Sequence, residues 1–155
     1  MAVKPIPEGQ HTITPYLGIK DAGKAIDFYK AAFGAVEMFR LDSPDGRVGH
    51  AELKIGDSSL MLADPCDMEG GLVSSQSLGG AAIGLHLYVD DVDARFAQAL
   101  KAGATQVRAV ENQFYGDRSG TLKDPFGNLW FVSSHVEDVS VEEIRARAAK
   151  LFGGQ

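Results

Sequence analysis

The sequence predicts an α+β fold built from two tandem βαβββ modules, and three observations carry that prediction. The segment 13–35 has a counterpart that starts 70 residues later, at 83–105. Each copy combines a strand of alternating apolar residues with an amphipathic helix that ends at a glycine, Gly34 or Gly103. Each copy is followed by three further strand-like segments. A duplicated unit of this size determines the architecture of the whole chain.

The first module reads as four strands and one helix. Residues 13–20 alternate between apolar and other side chains, which is typical of a half-buried strand. Asp21 is a candidate N-cap for the helix that follows, because a carboxylate accepts hydrogen bonds from free amides in the first helical turn. Turn signals at 43–46 and 56–57 then separate the remaining strands, which we expect at 35–41, 48–55 and 58–63.

The second module repeats this order and adds a helix after it. We expect strands at 84–89, 105–110, 118–123 and 128–134, with the last two joined through the turn at 124–127. Trp130 is expected to point towards the helix and to lie in the core. In the tail, Ser140 and Glu143 have the spacing of a capping box. Its apolar face would pack on the domain or on a partner chain, and it consists of Val141, Ile144, Ala148 and Leu151.

These elements divide the 155 residues into five segments within one domain. They are a lead-in at 1–12, a first module at 13–64, a linker at 65–80, a second module at 81–136, and a C-terminal helix and tail at 137–155. Cys66 is the one cysteine, so no internal disulfide forms, which favours a reducing cytoplasm. The net charge of −6 argues against a nucleic-acid partner, and no apolar run or signal core indicates a membrane.

One face of the predicted sheets is apolar and suits the helices, whereas the other mixes polar and aromatic side chains. Two curved sheets joined edge to edge would turn the mixed faces into a concave cleft, the usual form of a small-ligand site. Arg118 suits either a carboxylate or phosphate clamp or a pair with an aspartate that locks its loop. The predicted ligand-binding residues are Tyr16, His50, Glu52, Met61, His86, Tyr88, Tyr115, Arg118 and Phe131.

Four segments of the chain resemble one known family. They are PYLGIKDAGKAIDFY, GHAELKIGDSSLMLADP, LHLYVDDVDA and FYGDRSGTLKDPFGNLW. Together they resemble the vicinal oxygen chelate superfamily of glyoxalases, bleomycin-resistance proteins and extradiol dioxygenases, and most of all its PhnB-like branch. The resemblance covers about residues 13–136 and implies a homodimer. The resemblance is specific for the fold but not for the chemistry, because one fold hosts many functions.

The resemblance also implies a divalent metal held by His, Glu or Gln on the first and last strand of each module. Those positions fall here on Thr14, Met61, Gly84 and Phe131, which are poor ligands. We therefore expect no metal and no other cofactor. An alternative set, His50, Glu52 and His86, could hold one divalent ion if the three side chains converge. Otherwise these histidines are hydrogen-bonded residues that orient a ligand or each other.

Three functions remain open from the sequence. The first is metal-independent binding of a planar or amphipathic small molecule, in the manner of bleomycin-resistance proteins. The second is an enzyme, either a metal-dependent lyase or dioxygenase using His50, Glu52 and His86, or a metal-free acid–base catalyst using His86 or Glu52. The third is a scaffold protein whose cleft is vestigial. The sequence favours the first and assigns no catalytic residue.

Overall fold

The computed structural model describes residues 3–153. The chain divides into two compact units. The first unit ends at Ala82 and includes Pro125–Gly127, while the second holds Ile83–Asp124 and continues from Asn128. Each unit contains one four-stranded mixed sheet and one main helix, which confirms the predicted pair of βαβββ modules. No helix among residues 3–153 is long and apolar enough to cross a membrane.

The first module has the sheet order β1-β4-β3-β2, in which β1 and β4 are parallel and the other pairs are antiparallel. The apolar face of its helix is fully covered, and Ile26 and Tyr29 are 0% exposed. Leu53 and Leu62 lie under the helix on the sheet. The elements are β1 at Tyr16–Gly18, α1 at Ala22–Phe33, β2 at Val36–Asp42, β3 at Val48–Ile55 and β4 at Ser58–Ala63.

The first strand is shorter than the alternation at 13–20 predicts, because regular pairing starts only at Tyr16. Pro15 has no amide hydrogen, yet its carbonyl accepts from Met61 N at 2.9 Å. On the far side of β1, the linker runs past Gly18, which forms a bridge with Ser74. A Cβ atom at Gly18 would lie 2.8 Å from Leu72 Cβ, so the close approach of the linker requires glycine here.

The linker contains a short helix, α2 at Ser75–Leu78, that the sequence analysis missed. Ser74 caps it by accepting from Ser77 N at 3.2 Å. Gly79 ends it in the left-handed conformation with φ 77°. Four residues are too few to show helical periodicity, so the capping serine is the signal that was available.

The second module repeats the first in the order β5-β8-β7-β6, with β5 and β8 parallel. Trp130 is 3% exposed, which confirms its predicted place in the core. Its Nε1 donates to Asp124 Oδ2 at 3.0 Å, and this hydrogen bond fixes the indole to the hairpin turn. The elements are β5 at Gly84–Tyr88, α3 at Val92–Ala102, β6 at Thr105–Asn112, β7 at Asp117–Lys123, β8 at Leu129–His135 and α4 at Val141–Phe152.

The start of α1 corrects the prediction of an Asp21 cap. Asp21 adopts a left-handed conformation with φ 62°, and its own carboxylate makes no capping hydrogen bond within the described chain. Asp64 caps the helix instead, since its Oδ1 accepts from Asp21 N at 3.0 Å and from Ala22 N at 3.4 Å. Its Oδ2 accepts from Val48 N at 2.8 Å. One carboxylate therefore joins α1 to β3.

Candidate functional site

In the first module, the sheet face opposite α1 carries a group of polar and aromatic side chains. Alternation along β3 places His50 and Glu52 on this face, since Ala51 and Leu53 between them are buried under the helix. The parallel register sets Tyr16 opposite Met61. We call Tyr16, His50, Glu52 and Met61 the first site face. All four were predicted as site residues, and the structure places them on one surface of this unit.

A chain of hydrogen bonds links three members of the first site face. The Tyr16 hydroxyl lies 2.9 Å from His50 Nδ1, and His50 Nε2 lies 3.2 Å from Glu52 Oε1. A carboxylate only accepts, so the neutral imidazole carries its proton on Nε2, and its Nδ1 accepts a hydrogen bond from the Tyr16 hydroxyl. The rings of Tyr16 and His50 also meet edge to face with centroids 5.3 Å apart. The side chains are thus held in place before any ligand arrives.

The second module has a corresponding surface, the second site face, made of His86, Tyr88, Phe131 and Ser133. Parallel pairing sets His86 opposite Phe131 and Tyr88 opposite Ser133. The His86 and Tyr88 rings stack with centroids 4.7 Å apart. Tyr88 is 61% exposed and Phe131 is 37% exposed, so both residues remain accessible. Three of the four residues were predicted; Ser133 was missed.

Ser133 holds His86 in a defined orientation. Its hydroxyl donates to Ser119 Oγ at 2.8 Å and lies 2.9 Å from His86 Nε2. Because the hydroxyl proton is used on Ser119, the serine oxygen accepts from His86 Nε2–H. In the neutral ring Nδ1 is then unprotonated, and its lone pair has no hydrogen-bond donor in the part of the chain that the structure describes. His86 can therefore accept a hydrogen bond from a ligand without rearranging.

The two site faces are variants of one arrangement. Tyr16 and His86 occupy equivalent positions, and so do Met61 and Phe131. Tyr16 lies opposite Met61 on the parallel strands of the first sheet, and His86 lies opposite Phe131 on those of the second. In the first module a tyrosine reaches a histidine directly, whereas in the second a serine bridges the histidine to another hydroxyl. In both modules, hydrogen bonds between side chains thus connect the first strand to the third, but the side chains that make them differ.

Next to the second site face lies a buried carboxylate that the sequence analysis missed. Asp117 is 4% exposed, and its Oδ2 accepts from the Tyr88 hydroxyl at 2.8 Å. Its Oδ1 lies 2.9 Å from His135 Nδ1, and His135 Nε2 lies 2.8 Å from Asp138 Oδ1. Continuing the alternation from Phe131 along β8 would have placed His135 on this face, which is the signal that was available.

This network shifts the ionisation of two of its members. The hydrogen bond to Asp117, and next the one to Asp138, raise the pKa of His135 above its ordinary value. The hydrogen bond to the Asp117 carboxylate likewise raises the pKa of the Tyr88 phenol, since phenolate formation beside a carboxylate is unfavourable. Tyr88 and His135 also line a groove of about 460 Å³ in the second unit, together with Val89, Asp90 and Ser134.

The structure places the last two predicted site residues elsewhere. Arg118 lies on the helix side of the sheet, where its Nε and Nη2 donate to the two oxygens of Asp93, each at 2.8 Å. Its neighbour Asp117 points to the opposite face, so the alternation of the strand explains the position of Arg118. Tyr115 is half-buried in the turn before β7 and packs edge to face on Phe114, with centroids 5.2 Å apart.

The residues at the four positions where the family that the chain resembles would hold a metal do not fit a divalent ion. A Cβ atom at Gly84 would lie 2.4 Å from Phe131 Cε2, so the phenyl ring occupies the space in which a ligand at position 84 would stand. Met61 offers a thioether and Thr14 lies before β1. Across residues 3–153, no three His, Cys, Asp or Glu side chains are grouped to hold a metal ion. His50 and Glu52 bond each other, and His86 belongs to the other unit.

Comparisons with known proteins agree with this architecture. An uncharacterized protein of Mycobacterium bovis is 46% identical over 136 residues, which span 86% of this chain and 90% of that one. The solved Arabidopsis thaliana gene product AT5G48480 is 30% identical with a TM-score of 0.64, covering 79% of this chain and 98% of that chain. The fold is also similar to that of the PhnB protein from Bacillus cereus, at 18% identity, a TM-score of 0.62, and coverage of 80% and 99%.

A family model supplies the wider assignment. The model of the Glyoxalase/Bleomycin resistance protein/Dioxygenase superfamily matches residues 10–132, well over half of the chain. The match covers the first module and the second as far as the middle of β8, and the solved structures with the same fold include a PhnB protein. By sequence and by fold, the chain belongs to the Glyoxalase/Bleomycin resistance protein/Dioxygenase superfamily.

Proposed function

We propose that the protein binds a small molecule without the help of a metal ion. The observation that carries this proposal is that His50 and His86 are held in defined orientations. Each is fixed by hydrogen bonds to protein groups, and each lies beside an accessible aromatic ring, Tyr16 or Tyr88. Fixed polar groups among apolar and aromatic side chains are typical of small-ligand sites. A planar ligand suits these rings.

The charge of the molecule favours a cationic ligand. The chain carries a net charge of −6, and the first site face presents the carboxylate of Glu52, whose side chain is 26% exposed. Cations are attracted both by carboxylates and by the faces of aromatic rings. We further propose that the protein acts as a cytoplasmic homodimer. The single free cysteine, Cys66, is in keeping with a reducing cytoplasm, and the exposed apolar residues Val36, Phe39 and Leu41 of β2 are in keeping with self-association.

Two measurements on purified protein test the binding proposal. Metal analysis of the purified protein is expected to find well under one ion per chain. Thermal-shift screening against planar cations and neutral planar compounds is expected to find stabilising ligands, since a ligand at a hundredfold its Kd adds about 2.7 kcal/mol of stability. A His86→Ala variant should lose the response to ligands that bind the second site face.

Two outcomes would contradict the proposal. One bound divalent ion per chain, lost in a His50→Ala variant, would favour the metal-dependent lyase or dioxygenase. Failure of every compound in a broad panel would favour a scaffold protein. Both experiments need controls for correct folding, for which the far-ultraviolet circular dichroism of each variant suffices.

A further inference from the structure

Residues 7–10, which we call the N-terminal strap, contact the first site face. The strap is a turn closed by Gln10 N donating to the Pro7 carbonyl at 3.1 Å, with Gly9 at φ 80°. Lys54 Nζ donates to the Gly9 carbonyl at 2.6 Å, and Gln10 Nε2 donates to Glu52 Oε2 at 3.4 Å. Both contacts are with alternate residues of β3. The strap therefore lies against the edge of the site that Glu52 forms.

The contact between Gln10 and Glu52 is a poor one. A separation of 3.4 Å is at the long limit for an N–H···O hydrogen bond. The other amide atom, Gln10 Oε1, is buried and has no hydrogen-bond partner among residues 3–153. Rotating the amide would not help, because its oxygen would then face the Glu52 carboxylate. A buried acceptor without a donor is unfavourable, so the strap gains little from holding Gln10 here.

Glu52, in turn, has an acceptor that is almost unused. Its Oε1 is hydrogen-bonded to His50 Nε2, whereas the one hydrogen bond of Oε2 within residues 3–153 is the long contact with Gln10. The ammonium of Lys54, two residues further along β3, donates to the Gly9 carbonyl instead, and its Nζ lies 3.5 Å from Ser59 Oγ. Tyr16 and Phe39 both have rings near His50, with centroids 5.3 and 6.2 Å from the imidazole. Glu52 is thus a carboxylate with a weakly engaged oxygen, and it is hydrogen-bonded to a histidine that lies beside two aromatic rings.

We propose that the Gln10 carboxamide is an internal stand-in for the ligand, which displaces it from Glu52. The inference rests on the proposed binding function and names its ligand class, a planar cation that donates N–H bonds, such as an amidinium or guanidinium. Such a group offers Glu52 charge-assisted hydrogen bonds, which are shorter and stronger than the neutral amide contact. Its plane also suits stacking on the aromatic rings. Gln10 thus sets the affinity of the site.

Titration calorimetry with benzamidine, a planar aromatic amidinium, tests the ligand class. We expect binding to the wild-type chain, binding at least about threefold tighter to Gln10→Ala, and binding at least about tenfold weaker to Glu52→Gln. Glu142→Gln is the matched control, because it removes an equal charge from the exposed surface of α4, and it should bind like the wild type. Unchanged or weaker binding to Gln10→Ala, or undiminished binding to Glu52→Gln, would overturn the inference.

A second measurement tests the strap without any ligand. Carbodiimide-driven coupling of glycinamide to Glu52, followed by peptide mass spectrometry, should proceed at least about threefold faster in Gln10→Ala than in the wild type, since an uncovered carboxylate is more accessible. Equal rates would show that Gln10 does not cover Glu52. If neutral planar compounds bind in the thermal-shift screen while benzamidine does not, the binding function stands and the ligand class fails. If nothing binds, both fail.

Discussion

At the scale of single residues, the histidines of the two site faces and the neighbouring His135 differ in what their ring nitrogens contact. His50 bonds a phenol and a carboxylate, so both of its nitrogens are used within the first module. His86 uses one nitrogen on Ser133 and keeps a lone pair on the other. His135 lies between two carboxylates, which favours its protonated form. The three rings therefore offer different chemistry, although all three are histidines on open sheet faces.

The position of His135 predicts a pH dependence. Its pKa in the folded chain is raised above the ordinary 6.5. A raised folded pKa means that the network stabilises the fold fully below about pH 6.5 and loses this contribution as the pH rises through the folded value. A His135→Gln variant should therefore lower the Tm more at pH 5.5 than at pH 8.5, as measured by thermal denaturation.

Nuclear magnetic resonance titration of His135 provides the control for this prediction. Asp117→Asn and Asp138→Asn should each lower the pKa of His135, because the hydrogen bonds to Asp117 and then to Asp138 raise it. Equal loss of Tm for His135→Gln at both pH values would contradict the assignment of His135 as the titrating group.

At the scale of secondary-structure elements, both modules attach the start of the helix to the end of the last strand by one side chain. Asp64 accepts from the amides of Asp21 and Ala22 at the start of α1. Ser134, 70 positions further on, accepts from Val92 N at 2.9 Å and donates to the Val89 carbonyl at 2.6 Å. The two modules share this attachment, with a carboxylate in the first and a hydroxyl in the second. In each module this side chain gives an acceptor to amides at the helix start that have no partner within the helix.

This attachment predicts the effect of two substitutions. Asp64→Ala and Ser134→Ala should each lower the free energy of unfolding by about 1–3 kcal/mol, because they leave helix amides without an acceptor. Asp21→Asn is the matched control. Asparagine tolerates the left-handed backbone, and the substitution removes a carboxylate that caps nothing among the described residues. The free energy of unfolding should therefore change by no more than about 0.5 kcal/mol. Urea denaturation measures all three, and a large effect of Asp21→Asn would contradict the assignment of Asp64 as the cap.

At the scale of the whole molecule, the exposed apolar surface of β2 is a feature that the folding of a single chain leaves unexplained. Val36, Phe39 and Leu41 are 57%, 50% and 59% exposed. They lie across from Lys54, Glu52 and His50, so they extend the first site face to the edge of the sheet. Contiguous apolar patches of this kind are typical of interaction surfaces. An apolar sheet edge is also prone to aggregation unless it is covered.

The exposed strand predicts self-association through β2. Size-exclusion chromatography with light scattering should give twice the 16.5 kDa mass of the chain. A Val36→Lys/Leu41→Lys double variant should elute as a monomer, because burying two ammonium groups without partners is unfavourable. Circular dichroism shows whether the variant keeps its fold. A monomeric wild-type chain, or a double variant that remains dimeric, would contradict this prediction.

The sequence by itself determined the two modules, their strand order along the chain and their main helices. Apolar periodicity and glycine positions report local backbone preferences, so Gly34 ends α1 in the left-handed conformation and Gly103 ends α3, both as expected. The same alternation placed Tyr16, His50, Glu52 and Met61 on one face of the first sheet.

Only the tertiary structure decided which side chains bond each other. The cap on α1 comes from Asp64, 43 positions after Asp21 along the chain. The Asp117–His135 pair depends on strand register, and the strap places Gln10 on Glu52, 42 residues away. Periodicity shows which face a residue takes, but contacts between distant segments are set by how strands pair and loops return. For that reason the faces were visible in the sequence, whereas the hydrogen-bond networks that give them their chemistry were not.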